Sequence, residues 1–309
     1  MKAVRFHKYG DSSVLSAEEV ATPTPGPMQV LVKVAATSFN PADAALRSGA
    51  MRQFLPLELP YTTGVDLAGT VAAAGPDVTG LAEGTRVAAF LPLNTGGAAA
   101  EYALAPTEIL AAVPESVDLV DAAALPATGL TAWQALFEHG ELRAGQRVLV
   151  NGAGGAVGGY AVQLAHQAGA EVTASAGPRS AGRVRDYGAD HVLDHTAAPV
   201  AEAANGPFDL VLHFAPSTPE EAAALAQLVA DDGAFVTGTT PPGAEAGRGV
   251  RVVRMAVRSD AAQLTQLLDR VASENLRINV ADRRPLAHIV DVHEEAARGA
   301  LLGKTVLIP

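Results

Sequence analysis

The chain has 309 residues, 49% of them hydrophobic and 18% charged, which predicts two folded domains and argues against disorder. Its formal net charge of −11 argues against general affinity for nucleic acid or an anionic membrane, although backbone N–H groups and a few arginines can still hold an anionic cofactor. The absence of cysteine excludes disulfides, thiolate catalysis and cysteine-ligated zinc or iron–sulfur sites.

The N-terminal third of the chain predicts a β-rich fold and shows no targeting signal. Met1–His7 lack the apolar run of a signal peptide, and no stretch is apolar over the roughly 18 residues that a membrane span needs. We therefore expect a soluble, cytoplasmic protein. Strand-like runs at Val30–Val34, Gly69–Ala73 and Arg86–Phe90 are separated by turns such as Thr22–Pro27. This spacing predicts a small barrel or sandwich.

Beyond Pro114 the pattern changes to an alternation of helices and strands. A helix is predicted from Asp121 to Gly140, with Asp118 or Asp121 as its cap. The predicted strands are Arg147–Asn151, Glu171–Ser175, His191–Leu193, Phe208–His213, Ala234–Thr237 and Val250–Val257. The predicted helices are Val157–Ala168, Ser180–Tyr187, Pro219–Ala230, Ala261–Glu274 and Val290–Gly299, before an apolar end at Thr305–Ile308. Such alternation is typical of βαβ units and a parallel sheet.

The most informative segment is a glycine-rich turn between the strand Arg147–Asn151 and the next helix. Gly152 permits a tight turn, Gly155 lets a pyrophosphate approach the backbone, and Gly158 lets the helix pack on the strand. The phosphates would lie at the positive end of the helix dipole. Val157 stands at the last position of the G-x-G-x-x-G fingerprint and so departs from it. The candidate cofactor-binding residues here are Gly152, Gly154, Gly155, Ala156, Val157 and Gly158.

Glycines in this pattern could also serve close packing alone, or could cradle FAD or S-adenosylmethionine. The strand–turn–helix–strand context favours a nicotinamide dinucleotide. The next strand ends at Ser175, and Ala176 stands where NAD-specific sites usually carry an acid for the ribose 2′-hydroxyl. With Arg179 nearby, this favours the 2′-phosphate of NADPH, and Ser175 and Arg179 become candidate cofactor-binding residues. The alternative is that Arg179 is a solvated loop residue.

These residues, with two further motifs, resemble the quinone oxidoreductase branch of the zinc-independent medium-chain dehydrogenase/reductase superfamily. Gly64-Val-Asp66-Leu-Ala68-Gly69-Thr-Val71 is similar to the branch's G-x-D-x-A-G-x-V. Asn40-Pro-Ala-Asp43, followed by Leu46-Arg47-Ser48-Gly49, is similar to its N-P-x-D-x-x-x-R-S-G. With Leu130–Trp133 and Gly303–Ile308, the resemblance covers nearly the whole chain.

The resemblance implies an α/β protein with two domains. Residues 1–117 and 258–309 would form a GroES-like, β-rich catalytic domain, and residues 118–257 a Rossmann domain whose doubly wound parallel sheet binds NADPH. Relatives commonly dimerise by pairing the last Rossmann strand, so a homodimer is expected. The corresponding run here, Val250–Val257, is apolar and bounded by arginines, as a paired edge strand can be.

The resemblance also implies where the cofactor's ends would lie. Asn40 would lie near the nicotinamide ribose, Thr128 near the ring, and Gly238 and Thr239 near the carboxamide. His195 stands where relatives often carry a tyrosine near the adenosine 2′-phosphate, although a histidine there is more often a surface residue. The candidate catalytic residues are Asn40, Asp43 and Thr128.

The same comparison argues against a catalytic metal and leaves the proton donor open. Zinc-dependent relatives use a cysteine and a G-H-E motif, whereas Val65-Asp66 replaces His-Glu here. Two closely spaced histidine pairs have no convincing third ligand nearby: His191 with His195, and His288 with His293. Many relatives carry a Tyr or Lys facing the substrate just after the motif aspartate, but Ala44 and Ala45 follow Asp43. As an unperturbed carboxyl, Asp43 would be ionised and is predicted to hold its loop rather than act as an acid.

The leading hypothesis is metal-free hydride transfer from NADPH to a small molecule, either a quinone or the β-carbon of an α,β-unsaturated carbonyl. An enoyl reductase of a biosynthetic, polyketide-like pathway is the alternative enzyme. A non-catalytic dinucleotide-binding redox sensor is the alternative class, which the two alanines after Asp43 favour. The sequence leaves the acceptor open, because one fold hosts many chemistries.

Overall fold

The computed structural model describes residues 1–243 and 247–309, which divide into two compact units. Unit 1 is Met1–Ala127 with Arg258–Pro309, and unit 2 is Thr128–Val257. The domains predicted from the sequence meet at residues 117 and 118, whereas the units meet at residues 127 and 128. The boundary at residues 257 and 258 is the same in both. That each unit is an independent folding domain stays a prediction.

The secondary structure of the described residues is mixed. The strands, in chain order, are β1 Lys2–Phe6, β2 Ser16–Glu19, β3 Gln29–Ser38, β4 Tyr61–Thr62, β5 Asp66–Ala74, β6 Arg86–Phe90, β7 Tyr102–Pro106, β8 Ala111–Ala112, β9 Arg147–Asn151, β10 Glu171–Ser175, β11 His191–Leu193, β12 Phe208–His213, β13 Val229–Thr237, β14 Arg251–Arg254, β15 Asp282–Pro285 and β16 Thr305–Ile308. The α-helices are α1 Pro41–Ser48, α2 Leu119–Ala122, α3 Pro126–Trp133, α4 Ala156–Gln167, α5 Pro178–Asp186, α6 Val200–Ala203, α7 Pro219–Ala226, α8 Ala261–Ala272 and α9 Ile289–Ala297. None of the helices in the described ranges is both long and apolar enough to cross a membrane.

Unit 1 is built on two β-sheets. A small sheet has the strand order β2-β1-β4, and a larger one has the order β15-β16-β3-β5-β6-β8, with β7 also pairing on β3. The long strand β3 pairs antiparallel with β5, β7 and β16. Val30 and Val32 of β3 and Leu67 and Val71 of β5 are buried in one core cluster, because alternate residues of a strand share a face. The predicted GroES-like, β-rich fold is confirmed.

Unit 2 contains a parallel sheet whose described strands run in the order β11-β10-β9-β12-β13-β14. Counted from β9, this is the order of a doubly wound dinucleotide-binding sheet, and the predicted Rossmann fold is confirmed. Val148, Leu149 and Val150 of β9 are all fully buried, as expected for a central parallel strand covered on both faces. In such sheets, ligands bind beyond the carboxyl ends of the strands at the topological switch point, here between β9 and β12.

The prediction of one helix from Asp121 to Gly140 is wrong. The region contains α2, α3 and then a π-helical segment, Gln134–His139. A new helix begins at Pro126 because proline has no N–H to donate and suits only a first helical turn. The cap of α2 is Asp118, whose Oδ1 accepts from the backbone N–H of Asp121 at 2.9 Å.

Two other elements are shorter than predicted. The run Val250–Val257 is a strand only over Arg251–Arg254, where it pairs with β13 at the edge of the sheet. The helix predicted over Pro219–Ala230 ends at Ala226, because Val229 already pairs with Phe208 at the start of β13. Periodicity did not reveal these ends, since the apolar residues continue across them.

Candidate functional site

The glycine-rich turn of unit 2 connects β9 to α4. Gly155 is the N-cap of α4 and no side chain caps the helix, so the first-turn N–H groups of Ala156 and Val157 have no intrahelical acceptor. A Cβ at Gly158 would lie 2.3 Å from the carbonyl oxygen of Gly152, so only glycine lets α4 pack this closely on the turn. Gly155 is exposed, and apart from its chain neighbours a Cβ there would meet only the Gly152 oxygen, at an ordinary 3.4 Å, among the described atoms within 4 Å. The outer side of the turn is therefore open to a phosphate.

Helix α5 supports this turn from one side. Arg183 Nη2 donates to the carbonyl oxygen of Gly154 at 3.0 Å. Ser180 lies against the same glycine, where a Cβ would be 2.5 Å from its Oγ. Arg179 is exposed in the first turn of α5, and no hydrogen bond or ion pair links it to another described residue. The sequence analysis did not identify Arg183 as a candidate residue, although its spacing of four residues from Arg179 puts both on one helix face.

His195 lies close to the start of α5. Its Nε2 is 3.2 Å from where a Cβ on Gly177 would be, and Gly177 is the N-cap of the helix that carries Arg179. Ala176, at the position where NAD-specific sites carry an acid, is buried. The structure thus brings both residues predicted for the 2′-phosphate to one end of α5.

Ser175 faces the turn itself. Its Oγ accepts from the backbone N–H of Gly152 at 2.9 Å and donates to Asn151 Oδ1 at 2.6 Å. The side chain is buried, so Ser175 holds the turn from behind. This contact was not anticipated, because it depends on the pairing of β9 with β10.

The residues assigned to the nicotinamide end of unit 2 lie in two places. Thr128 is buried in α3. Gly238 is exposed just after β13, and Thr239 Oγ1 donates to the carbonyl oxygen of Ala215, after β12, at 3.1 Å. The turn after β13 is therefore tied to the loop after β12, beyond the carboxyl ends of both strands. Contact of these residues with a cofactor stays a prediction.

In unit 1, Asn40 belongs to a buried cluster around an ion pair. Lys304 Nζ donates to Asp66 Oδ2 at 3.0 Å, to Asn40 Oδ1 at 2.7 Å and to the carbonyl oxygen of Phe39 at 3.1 Å. Asn40 Nδ2 and Ser38 Oγ donate to the same Asp66 oxygen, at 2.8 and 2.5 Å. The side chains of Lys304 and Asp66 are 3% and 0% exposed. The motif aspartate is thus neutralised by Lys304, the residue just before β16, which the sequence analysis did not single out.

Asp43 holds the loop that carries Asn40. Its Oδ2 accepts from the backbone N–H of Asn40 at 2.9 Å, and its Oδ1 accepts from Gly64 N at 2.9 Å, Val65 N at 3.2 Å and Thr63 Oγ1 at 3.2 Å. The sequence analysis assumed an ordinary pKa for this carboxyl, and the structure contradicts that assumption. Burial raises the pKa of Asp43 to about 6, against the opposing effect of the N–H groups of Asn40 and Gly64. At neutral pH it is mostly ionised, with both oxygens occupied by the protein's own donors.

The arginine and histidines picked out in unit 1 have internal partners. Arg47 Nη1 donates to the carbonyl oxygen of Gly10 at 2.7 Å, and Nε donates to His293 Nδ1 at 3.3 Å. Burial lowers the pKa of His293 to about 4, so its neutral ring can accept this bond. His288 pairs instead with Asp291 at 3.0 Å. Within the described parts of the chain, no three His, Asp or Glu side chains come together as a metal site requires.

Comparisons with known proteins agree with this architecture. The model of the alcohol dehydrogenase GroES-like domain matches residues 26–115, and the model named zinc-binding dehydrogenase matches residues 187–307. The Arabidopsis thaliana chloroplast envelope quinone oxidoreductase homolog is 32% identical over 327 residues, covering 100% of this chain and 98% of the relative. The quinone oxidoreductase from Coxiella burnetii has a TM-score of 0.89 at 27% identity, covering 100% and 99% of the two chains. A mycobacterial protein solved in complex with NADPH has a TM-score of 0.87 at 27% identity, with both chains fully covered.

A GroES-like unit and a doubly wound unit with a glycine-rich first turn define the class of medium-chain dehydrogenases/reductases. The chain belongs to this superfamily and, within it, to the quinone oxidoreductase-like family, as its motifs implied. It is therefore an oxidoreductase whose Rossmann unit is of the dinucleotide-binding kind.

Proposed function

We propose that this protein transfers hydride from NADPH to an electron-poor small molecule, either a quinone or the β-carbon of an α,β-unsaturated carbonyl, without a metal. The observation that carries the proposal is the turn Gly152–Gly158. It packs closely on α4 at Gly158 and is open to a ligand at Gly155. Uncapped N–H groups at the start of α4 suit a pyrophosphate, which also gains from the helix dipole. A bound nicotinamide supplies the hydride, while the chain orients the reactants and excludes water.

Zinc chemistry has little support from these residues. The matched family model carries a zinc-binding name, but this chain has no cysteine, and Val65 stands where zinc-dependent relatives have histidine. Asp66, at the place of the motif glutamate, is engaged by Lys304, Asn40 and Ser38. We therefore derive no step that uses a metal.

For an enone, we propose that hydride reaches the β-carbon and that water supplies the α-proton. Ala44 and Ala45 offer no acid, and the oxygens of Asp43 are occupied. The hydroxyl of Tyr61 is also engaged, because it donates to the carbonyl oxygen of Leu93 at 2.9 Å and burial raises its pKa. Negative charge developing on the substrate oxygen would be stabilised by N–H or hydroxyl donors.

Turnover of NADPH against a panel of quinones and enones tests this function. We expect oxidation of NADPH that survives exhaustive chelation. With NADPH carrying deuterium on its nicotinamide ring, the label is expected at the β-carbon of an enone. Activity with acyl thioesters alone would favour the enoyl reductase, and tight NADPH binding with no acceptor would favour the redox sensor. An allylic alcohol labelled at its carbonyl carbon, or loss of activity when metal is removed, would contradict the proposed chemistry.

We further propose a preference for NADPH over NADH, based on Ala176, Arg179 and His195 around the start of α5. An arginine–phosphate contact is charge-assisted, so Arg179→Ala should weaken NADPH binding about tenfold and leave NADH binding nearly unchanged. Titration calorimetry measures both affinities. Arg185→Ala is the matched control, because Arg185 is another exposed arginine of α5. Equal affinity of the unmodified protein for both cofactors would refute the preference.

We also propose a homodimer formed through β14. This strand lies at the edge of the described sheet, and Val252 on it is 40% exposed. Light scattering should give twice the chain mass of 31.5 kDa. Aspartate substitutions at Val252 and Val253 should lower that mass to one chain, and a dimer that survives them must use another surface.

The cytoplasmic location stays a prediction, and the name of the Arabidopsis relative refers to the chloroplast envelope.

A further inference from the structure

A chain of side-chain hydrogen bonds joins three strand ends of unit 2. Gly152 N donates to Ser175 Oγ at 2.9 Å, and Ser175 Oγ donates to Asn151 Oδ1 at 2.6 Å. Asn151 Nδ2 lies 2.9 Å from His213 Nδ1, and His213 Nε2 lies 2.7 Å from Ser217 Oγ. Asn151 and His213 end β9 and β12, so their contact spans the topological switch point of the sheet.

The directions of these bonds follow from the backbone donor at Gly152 and from the orientation of the Asn151 amide, whose Oδ1 faces Ser175. A backbone N–H can only donate, so the hydroxyl of Ser175 accepts from Gly152 and has its one proton left for Asn151 Oδ1. The amide of Asn151 then presents Nδ2 to the imidazole, whose Nδ1 must accept. The proton of a neutral His213 therefore lies on Nε2 and is donated to Ser217.

We propose that His213 is a positioning residue for the dinucleotide, acting through Asn151 and Ser175 on the first residue of the glycine-rich turn. The inference rests on the proposed cofactor function. A proton added at Nδ1 would face the Nδ2 donor of Asn151. If the amide reversed to accept it, Nδ2 would face Ser175, whose hydroxyl would lose its acceptor. That hydroxyl would have to turn away from Asn151, which would disturb the contact that holds Gly152 N. The bonds from Ala153 N to the carbonyl oxygen of Ser175, 3.0 Å long, and from Arg183 to the carbonyl oxygen of Gly154 would remain.

The surroundings of His213 favour the neutral ring near neutral pH. Burial lowers the pKa of His213, and Glu221 of α7, the charged group that acts on it, opposes this. The neighbours from β9 and β13 are Asn151 and the ring of Phe235, which carry no charge. Protonation of His213 therefore belongs to acidic pH, and cofactor affinity should fall as the pH falls.

The affinity for NAD⁺, measured by calorimetry at about pH 8 and about pH 5.5, tests this inference. NAD⁺ is the probe because it lacks the 2′-phosphate, which itself titrates near pH 6. For the unmodified protein we expect binding weaker at the lower pH, by less than tenfold, because the lowered pKa of His213 leaves part of the protein with a neutral ring there. His213→Leu removes the acceptor, so its binding should be about tenfold weaker at both pH values.

His213→Asn is the conservative variant, because an amide oxygen near the place of Nδ1 can accept from Asn151 and cannot be protonated in this range. It should bind NAD⁺ like the unmodified protein at about pH 8 and lose clearly less affinity than the unmodified protein at about pH 5.5, where any remaining loss comes from other groups such as Asp43. Circular dichroism verifies that each variant is folded. Even if the leucine variant does not fold, the asparagine variant tests whether protonation of His213 lowers cofactor affinity. An unchanged pH dependence in His213→Asn would overturn the inference, as would a flat profile in the unmodified protein. No binding of NAD⁺ or NADPH at either pH would overturn the cofactor function, and the inference with it.

Discussion

Replacement of Lys304 by methionine is expected to lower the free energy of unfolding of unit 1 by about 3–5 kcal/mol. The ammonium group satisfies its three donors on Asp66, Asn40 and Phe39, and both charged side chains are almost fully buried. Methionine fills a similar volume but leaves the carboxylate of Asp66 buried without its counter-ion. Removal of one partner of a buried pair is costly because the remaining charge has lost its hydration without compensation.

Urea unfolding followed by circular dichroism measures this loss. Trp133, the one tryptophan of the chain, belongs to unit 2, so its fluorescence reports on that unit. Lys33→Met is the matched control, because Lys33 is exposed on β3, and its effect should stay within about 0.5 kcal/mol.

The double variant Lys304→Met with Asp66→Asn should recover part of the lost stability. It leaves no unpaired charge, and the asparagine oxygen can still accept from Ala127 N, which now donates to Asp66 Oδ1 at 2.7 Å. A Lys304→Met protein as stable as Lys33→Met would show that the buried pair contributes nothing.

Gly158→Ala should abolish tight binding of the dinucleotide. The new Cβ would lie 2.3 Å from the Gly152 oxygen and 2.6 Å from Ala153 Cα. These are backbone atoms, so α4 or the turn must move, at a cost of about 1–3 kcal/mol in stability. Displacement of the first-turn N–H groups from the pyrophosphate would lose hydrogen bonds to a charged group worth about 1.5–3 kcal/mol each, so we expect NADPH affinity to fall about a hundredfold.

Two other glycine variants separate packing from phosphate binding. Gly155→Ala should cost at most about 1 kcal/mol of stability, because its Cβ meets the Gly152 oxygen at 3.4 Å and the loss is limited to replacing an N-cap glycine, yet it should weaken NADPH by occupying the open side of the turn. Gly182→Ala in α5 has no described atom within 4 Å of its Cβ and should stabilise the protein by about 0.4–1 kcal/mol without affecting binding. Calorimetric titration with NADPH and thermal unfolding distinguish the three. If Gly155→Ala binds NADPH like the unmodified protein, the phosphates do not lie on this turn.

Local sequence patterns determined the parallel sheet of unit 2. Most of the strands from β9 to β13, and the helices between them, coincide with runs of apolar residues. The period of these runs distinguishes strand from helix. The glycine-rich turn was also readable, because Gly152, Gly155 and Gly158 act on neighbours only a few residues away. Element ends were less well predicted, as the break at Pro126 shows.

Only the tertiary structure decided which polar side chains meet. Lys304 and Asp66 are 238 residues apart in the chain, and Asn151 and His213 are 62 apart. The periodicity of the sequence does not predict such pairs. The first depends on the order of β3, β5 and β16 in their sheet, and the second on the pairing of β9 with β12. Once strand order brings these groups together in a buried place, they must pair, since an unpaired buried charge or amide costs several kcal/mol. The sequence by itself determined the fold and the place of the glycine-rich turn. The strand order determined which buried side chains form hydrogen bonds with one another, including those that hold this turn.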